Sequence, residues 1–199
     1  MTSDWRQRRA TFRHGDLPRA ILDAALAHLE AEEATALNLR KLARDVGVDH
    51  RALYRHFPDK LALMAAIAGH GWRELGERMT AAALAKPAGE ETLVACGVGF
   101  ILFARENANL FHLMAGPRLN VSGSFPDLDH AVYDALRILQ RGFGDLGHER
   151  DDARALAALF AAALQGVSAQ ILYKRLRLSA KRAAAEMANI SRKLINGLR

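Results

Sequence analysis

The sequence predicts an all-α protein: a compact three-helix unit near the N-terminus followed by a larger helical bundle. Three observations carry that prediction. Apolar residues recur at three- and four-residue steps along most of the chain, and no stretch alternates apolar and polar residues as a half-buried strand would. Only 5 of the 199 residues are proline, so long helices run uninterrupted. Finally, Leu39 to Phe57 reads as two short helices pinched together at Gly47. Neither internal repeats nor low-complexity tracts are present.

The first helix is expected from Asp16-Leu-Pro-Arg onward, with Pro18 in the first turn, where its missing N–H costs nothing. Ile21, Leu22, Ala25, Leu26 and Leu29 form its apolar face, and Glu30, Glu32 and Glu33 close it, an unfavourable place for carboxylates. Asn38 caps a second helix with Leu39, Leu42, Ala43 and Val46 inward. Gly47 stops that helix where a positive φ is needed. Asp49 caps the third, with Leu53 and Phe57 inward, leaving His50, Arg51, Ala52, Tyr54, Arg55 and His56 to point elsewhere.

Phe57-Pro58-Asp59-Lys60 then breaks the chain and opens a long helix, striped by Leu61, Met64, Ile67, Ala68, Trp72, Leu75 and Met79. After Lys86-Pro-Ala-Gly89, a helix apolar nearly all round follows, with Val94, Val98, Ile101 and Leu102 among its residues. The pair Gly97 and Gly99 within it lacks the strand and third glycine of a nucleotide loop, and reads as close packing or room for a ligand. A short helix is expected over Asn107 to Pro117, and another from Asp127 to Arg141. Gly142, Gly144 and Gly147 read as a flexible connection. Two helices finish the chain, striped by Leu156 to Ile171 and by Ala184 to Leu198.

Half the residues are hydrophobic, enough to bury a core without cross-links. Cys96 is the single cysteine, which excludes an internal disulfide and leaves no second thiol for a metal site. The first residues lack the apolar stretch of a signal peptide, and the longest apolar run, Leu93 to Ala104, is too short to span a bilayer. A soluble, cytoplasmic protein without a membrane partner is expected. The formal charge of +6 permits an anionic partner. Arg6, Arg8, Arg9, Arg13 and Arg19 make the N-terminus either an arm that reaches phosphates or a minor groove, or a solubilising tail. A second cluster, Lys174, Arg175, Arg177, Lys181 and Arg182, reads as a helix end or a solvated loop.

A short helix, a glycine turn and a second helix with outward donors form the helix-turn-helix pattern, whose second helix enters the major groove of DNA. His50, Arg51 and Ala52 open that helix and are the candidates for base edges. Arginine can donate two bonds to guanine O6 and N7. Lys60, at the start of the next helix, sits where free N–H groups and a helix dipole favour phosphate.

The runs Ala52-Leu-Tyr-Arg-His-Phe-Pro-Asp-Lys-Leu61 and Arg13-His-Gly-Asp-Leu17 closely resemble the TetR family of bacterial transcriptional regulators. The resemblance is strong from about Arg13 to Trp72 and weaker beyond. There Ala162-Ala-Leu-Gln-Gly-Val-Ser168 is similar to a ligand-domain subgroup marked by a Trp…His-Gly signature, with Gln165 where that subgroup has histidine. The resemblance implies a helix-turn-helix DNA-binding domain over residues 1–60 and an effector-binding and dimerisation domain over 61–199. It also implies phosphate contacts from Arg40, Tyr54, Arg55, His56 and Lys60. The last two helices would pair with their copies in a second chain, through Leu159, Ala163, Val167, Met187, Ile190 and Leu194. Candidates for an apolar effector pocket are Trp72, Cys96, Phe100, Phe103, Phe111, Met114, Tyr133, Phe160 and Gln165.

The expectation is therefore a homodimeric repressor that leaves a near-palindromic operator when a small, largely apolar molecule binds. An architectural DNA binder without an effector is the alternative. Eight histidines form neither a His-Glu-x-x-His pair nor a Cys/His set, and P-loop and Gly-x-Ser-x-Gly motifs are missing. Enzymatic activity, metal and cofactor are accordingly not expected.

Overall fold

A computed structural model describes residues 17–116, 119, 123–178 and 182–198. Among these, regular structure is helical throughout: α1 Leu17–Leu29, α2 Leu39–Val46, α3 His50–His56, α4 Lys60–Leu84, α5 Glu90–Glu106, α6 Ala108–Ala115, α7 Pro126–Asp145, α8 Arg150–Leu172 and α9 Ala183–Gly197, with a single tight turn at Ala34–Ala36 before α2. Arg6, Arg8, Arg9 and Arg13 of the basic arm, and the run from Arg13 up to Asp16, lie outside the described residues, whereas Arg19 lies in α1.

Helices α1 to α3 make the head. Ile21, Ala25 and Leu29 of α1 are buried, one per turn, against α2 and α3. Each of the next helices is started by a side chain. Asn38 Oδ1 accepts from the N–H of Arg40 at 2.9 Å, and Asp49 Oδ1 from that of Arg51 at 2.7 Å. Between them Gly47 sits at φ 80° and ψ 32°, left-handed, and donates to the carbonyls of Ala43 and Arg44. Val48 then donates to Ala43 as well, and the chain turns directly into α3. Across the head, His28 Nε2 lies 2.8 Å from Asp45 Oδ2, tying the end of α1 to the end of α2.

The body is built around α4, which packs most extensively on α7 and α5; α5 is in turn flanked by α8 and α9. One continuous apolar core runs from Ile21 in the head to Ile195 in the body. In α5, Gly97 has no room for a methyl group, because Ser191 of α9 rests against it. Gly97 of the glycine pair therefore serves close packing, whereas Gly99 has room for a methyl group.

Several expectations need correction. Glu30, Glu32 and Glu33 come directly after the last helical residue, Leu29, and the N–H groups of Glu30 and Glu32 close the end of α1 by donating to the carbonyls of Leu26 and His28. Leu61 is 45% exposed, whereas Leu63 is fully buried: the buried stripe of α4 is rotated from the expected one in its first turn. Gly142 and Gly144 are helical, inside α7, rather than a connection. Gly142 is small because Leu93 presses on it, and a Cβ there would meet Leu93 Cδ2 at 2.7 Å. Chain direction changes by 111° between α5 and α6 without a proline. Asn107 makes that break, its Nδ2 donating to the Phe103 carbonyl at 3.1 Å. Finally, α8 is long and apolar enough by composition to cross a membrane, with a mean hydropathy of 1.7 over an 18-residue window, although Leu93 to Ala104 is not.

Candidate DNA interface

Helix α3 is only two turns long and has one fully buried side chain, Leu53. Phe57, just past its end, is the second anchor. With those two inward, helical geometry turns Arg51, Tyr54 and Arg55 outward together at steps of three and four. His50, Arg51, Tyr54, Arg55 and His56 are all exposed, and Ala52 is half-buried at the edge of the same surface. His50 and Tyr54 pack edge to face, centroids 6.4 Å apart at 88°, one turn from each other. The two α3 arginines have no ion-pair partner among the described residues, so their guanidinium groups are free to donate elsewhere.

Arg40 is exposed at the start of α2. Lys60 is placed differently from the expectation of a free phosphate-binding cation: its Nζ donates to the Thr35 carbonyl at 2.6 Å, bridging α4 to the turn before α2. Two ammonium protons remain for another acceptor. That bond and the His28–Asp45 contact position the DNA-facing helices, and neither was read from the sequence. Their partners lie 25 and 17 residues apart, beyond any local pattern.

Among the described residues, several of the expected effector residues are packed into the core, whereas Tyr133 lines a cleft of about 300 Å³ with residues of α7 and α8. Cys96, Phe100, Phe103, Phe111 and Phe160 are 2% exposed or less. Phe100 and Phe111 pack edge to face at 5.8 Å, as do Phe143 and Phe160 at 6.0 Å, which fills the volume with ring contacts. Burial in that apolar setting pushes the Cys96 thiol up to about 12. Tyr133 is 49% exposed on the outer face of α7. Trp72, Met114 and Gln165 are half-buried, and the Gln165 amide donates to the Ala115 carbonyl at 3.4 Å. A cavity of about 700 Å³ lies elsewhere, where the head meets the body. Leu22, His56, Phe57, Arg73, Phe125 and Leu128 are among the residues that line it.

Of the residues expected to pair with a second chain, Leu159 is 56% exposed. Ala163, Val167, Ile190 and Leu194 are half-buried. Met187 is fully buried within this chain, on the inner face of α9, and belongs to its core rather than to an outer face. Among the described residues, no group of three or more His, Cys, Asp or Glu side chains is arranged to hold a metal ion.

A two-helix reading unit with an outward donor face, mounted on a helical bundle, defines a DNA-binding regulator of the helix-turn-helix class. Residues 21–67 match the family described as bacterial regulatory proteins, tetR family. The match covers this N-terminal region, and the whole chain shares its fold with solved TetR-family regulators. A protein of unknown function from Rhodococcus sp. RHA1 is 24% identical, with a TM-score of 0.76 over 94% of this chain and 98% of that one. A putative TetR-family transcriptional regulator from Mesorhizobium loti MAFF303099 is 17% identical, with a TM-score of 0.64 over 94% and 97%. A TetR variant from Acinetobacter baumannii AYE, solved in complex with minocycline, is 21% identical, also with a TM-score of 0.64, over 94% and 96%.

Proposed function

We propose that the protein is a homodimeric transcriptional repressor that binds a near-palindromic operator and is released by a small molecule. The observation that carries the DNA reading is the exposed face of α3, whose two arginines have no ion-pair partner among the described residues, held by two capped helices and a left-handed glycine. His50, Arg51 and Ala52 meet base edges, while Arg40, Tyr54, Arg55, His56 and Lys60 hold the backbone on either side. Division of labour falls between a head, residues 1–60, and an effector and dimerisation domain, residues 61–199.

Dimerisation is supported by α8. Its apolar 18-residue window is only 28% buried within the chain, and an amphipathic surface helix would not leave so much apolar surface uncovered. A second copy covers it through Leu159, Ala163 and Val167, with Ile190 and Leu194 of α9 at the margin. This assignment also keeps α8 out of a membrane and the protein in the cytoplasm, beside its operator.

Control by a small, largely apolar molecule is supported by the minocycline complex of the Acinetobacter relative and by the head–body cavity, whose volume suits such a ligand. Two recognition helices must stand about 34–36 Å apart to read successive major grooves. A ligand that tilts α4 changes that separation and must bind the DNA-incompetent form more tightly, so DNA weakens ligand binding by the same factor. Footprinting on the DNA upstream of the gene and its neighbours tests the regulator: a discrete, near-palindromic protected site supports it. Uniform weak protection would instead indicate an architectural DNA binder.

A further inference from the structure

The loop after α8 is the most strongly basic segment outside the head. No aspartate or glutamate occurs between Asp152 and Glu186, and Lys174, Arg175, Arg177 and Arg182 fall in that interval. None of these four has an ion-pair partner among the described residues. Arg175 lies over the Tyr173 ring, its guanidinium carbon 5.5 Å from the centroid, and its charge still faces solvent.

The fold places the start of this segment, from Tyr173, at the end of the body that carries the head. Tyr173 stacks on His112 of α6, centroids 5.6 Å apart and planes 19° from parallel. One turn earlier in α6, Asn109 Nδ2 donates to the Leu29 carbonyl at the end of α1, at 2.8 Å. The basic loop, α6 and the head are therefore consecutive neighbours. Because α8 is also the proposed dimer face, the two copies of the loop flank the two-fold axis, between the two heads.

A second observation is independent of position. Lys174 has φ 58°, the only non-glycine residue in the left-handed region among the described residues. It closes α8, with Lys174, Arg175 and Leu176 donating back to the carbonyls of Ile171 and Gln170. Glycine is the residue that takes this closing position without strain. The chain keeps a long cation there instead, at a cost in backbone strain, and strain of this kind gathers at functional sites.

We propose that the loop, through Lys174, Arg175, Arg177 and Arg182, is a second phosphate-facing element laid against the duplex between the two half-sites. The proposal rests on the operator-binding reading above. It reads no sequence, and it adds attraction to the operator's centre, where the heads make no contact.

Affinity for an operator duplex, measured from 50 to 200 mM salt, tests it on the full-length protein. Lys174→Gly is the informative variant, because glycine suits the backbone: melting temperature should hold or rise while DNA affinity falls. Each lost phosphate contact lowers the salt slope by about 0.9, and a dimer loses two. The wild type should therefore lose roughly tenfold more affinity than the variant across that range. Arg175→Gln combined with Arg177→Gln should act in the same direction and more strongly, with base preferences unchanged. Replacing the central phosphates by neutral methylphosphonates should weaken the wild type most, Lys174→Gly less and the double arginine variant least. Unchanged salt slopes in both variants would overturn the proposal, as would a loss that persists equally on the neutral-centred duplex. Failure of the wild type itself to bind any operator would show instead as absent footprints, before any variant is compared.

Discussion

Head and body begin their helices by different means. In the head, α2, α3 and the first turn of α4 each start on a side-chain cap: Asn38, Asp49 and Asp59 accept bonds from free backbone N–H groups. None of these helices carries an acidic residue in its first turn. In the body, α5 to α9 have no side-chain cap bond at all, and all but α6 place Asp or Glu in the first turn instead. Both devices answer the same problem, the unsatisfied donors and positive dipole at a helix start. A capping bond is local and directional, whereas a first-turn carboxylate acts on the helix dipole through its charge. The head's helices of 8 and 7 residues also bury too little to persist on packing alone, so they need the stronger local device.

The largest effect that separates the regions is loss of packing in the body. Phe160 is fully buried and edge-on to Phe143, so Phe160→Ala should cost about 3–5 kcal/mol in a denaturant melt. Cys96 supplies a second readout: burial holds its thiol protonated in the native body, and the variant should admit a thiol reagent faster. A cost below that of losing one head cap would end the claim that burial, rather than local signals, holds the body.

Next comes DNA discrimination, which resides in the head alone. Arg51→Ala should lose about 1–3 kcal/mol at particular base pairs of the operator. Lys60→Ala should weaken all sequences alike and lower the salt slope by about one unit per head. A competition series over single-base operator variants distinguishes the two. Equal scaling of every affinity by Arg51→Ala would remove Arg51 from base readout.

The same contrast explains what the sequence makes legible. The cap at Asn38, the turn at Gly47, the cap at Asp49 and the outward set on α3 are local patterns, and the structure has them where the spacing puts them. In the body, meaning depends on neighbours far along the chain. Gly142 reads as a flexible joint until Leu93, 49 residues away, is seen pressed against it. Phe100, Phe111 and Phe160 are equally suited to walls or to filling, and only their packing, Phe100 on Phe111 and Phe160 on Phe143, decides for filling. Met187 and Ile190 share the stripe of α9, yet one is core and the other half-buried at its edge. The basic cluster after α8 is plain in the sequence, but its nearness to the head depends on the Tyr173–His112 and Asn109–Leu29 contacts.

A smaller effect compares one helix start from each region directly. Asp49→Ala removes the cap of α3 and should cost about 1 kcal/mol. It should also fray the reading helix and reduce operator affinity. Glu149 precedes α8 in the equivalent position but caps nothing, so Glu149→Ala should stay within about 0.5 kcal/mol of the wild type. Similar losses in paired thermal melts would show that the difference in capping has no energetic consequence.

The smallest effect is a pH dependence, again in the body. Glu91, in the first turn of α5, pairs with Arg192 of α9 at 2.8 Å. The Arg192 hydrogen bond and then its charge, aided by Lys86, hold the Glu91 carboxyl below its ordinary 4.5. A carboxylate with a lowered folded-state pKa stabilises the fold above its unfolded value, and that contribution disappears as pH falls through the folded one. Both partners are solvent-exposed, so the gain is slight and salt should screen it. Melting curves of the wild type and Glu91→Gln should differ most at neutral pH and low salt, and converge as pH drops below the carboxylate range. Here a first-turn carboxylate also ties its helix to a distant one. Curves that stay equally separated at every pH would show that the pair is not what Glu91 contributes.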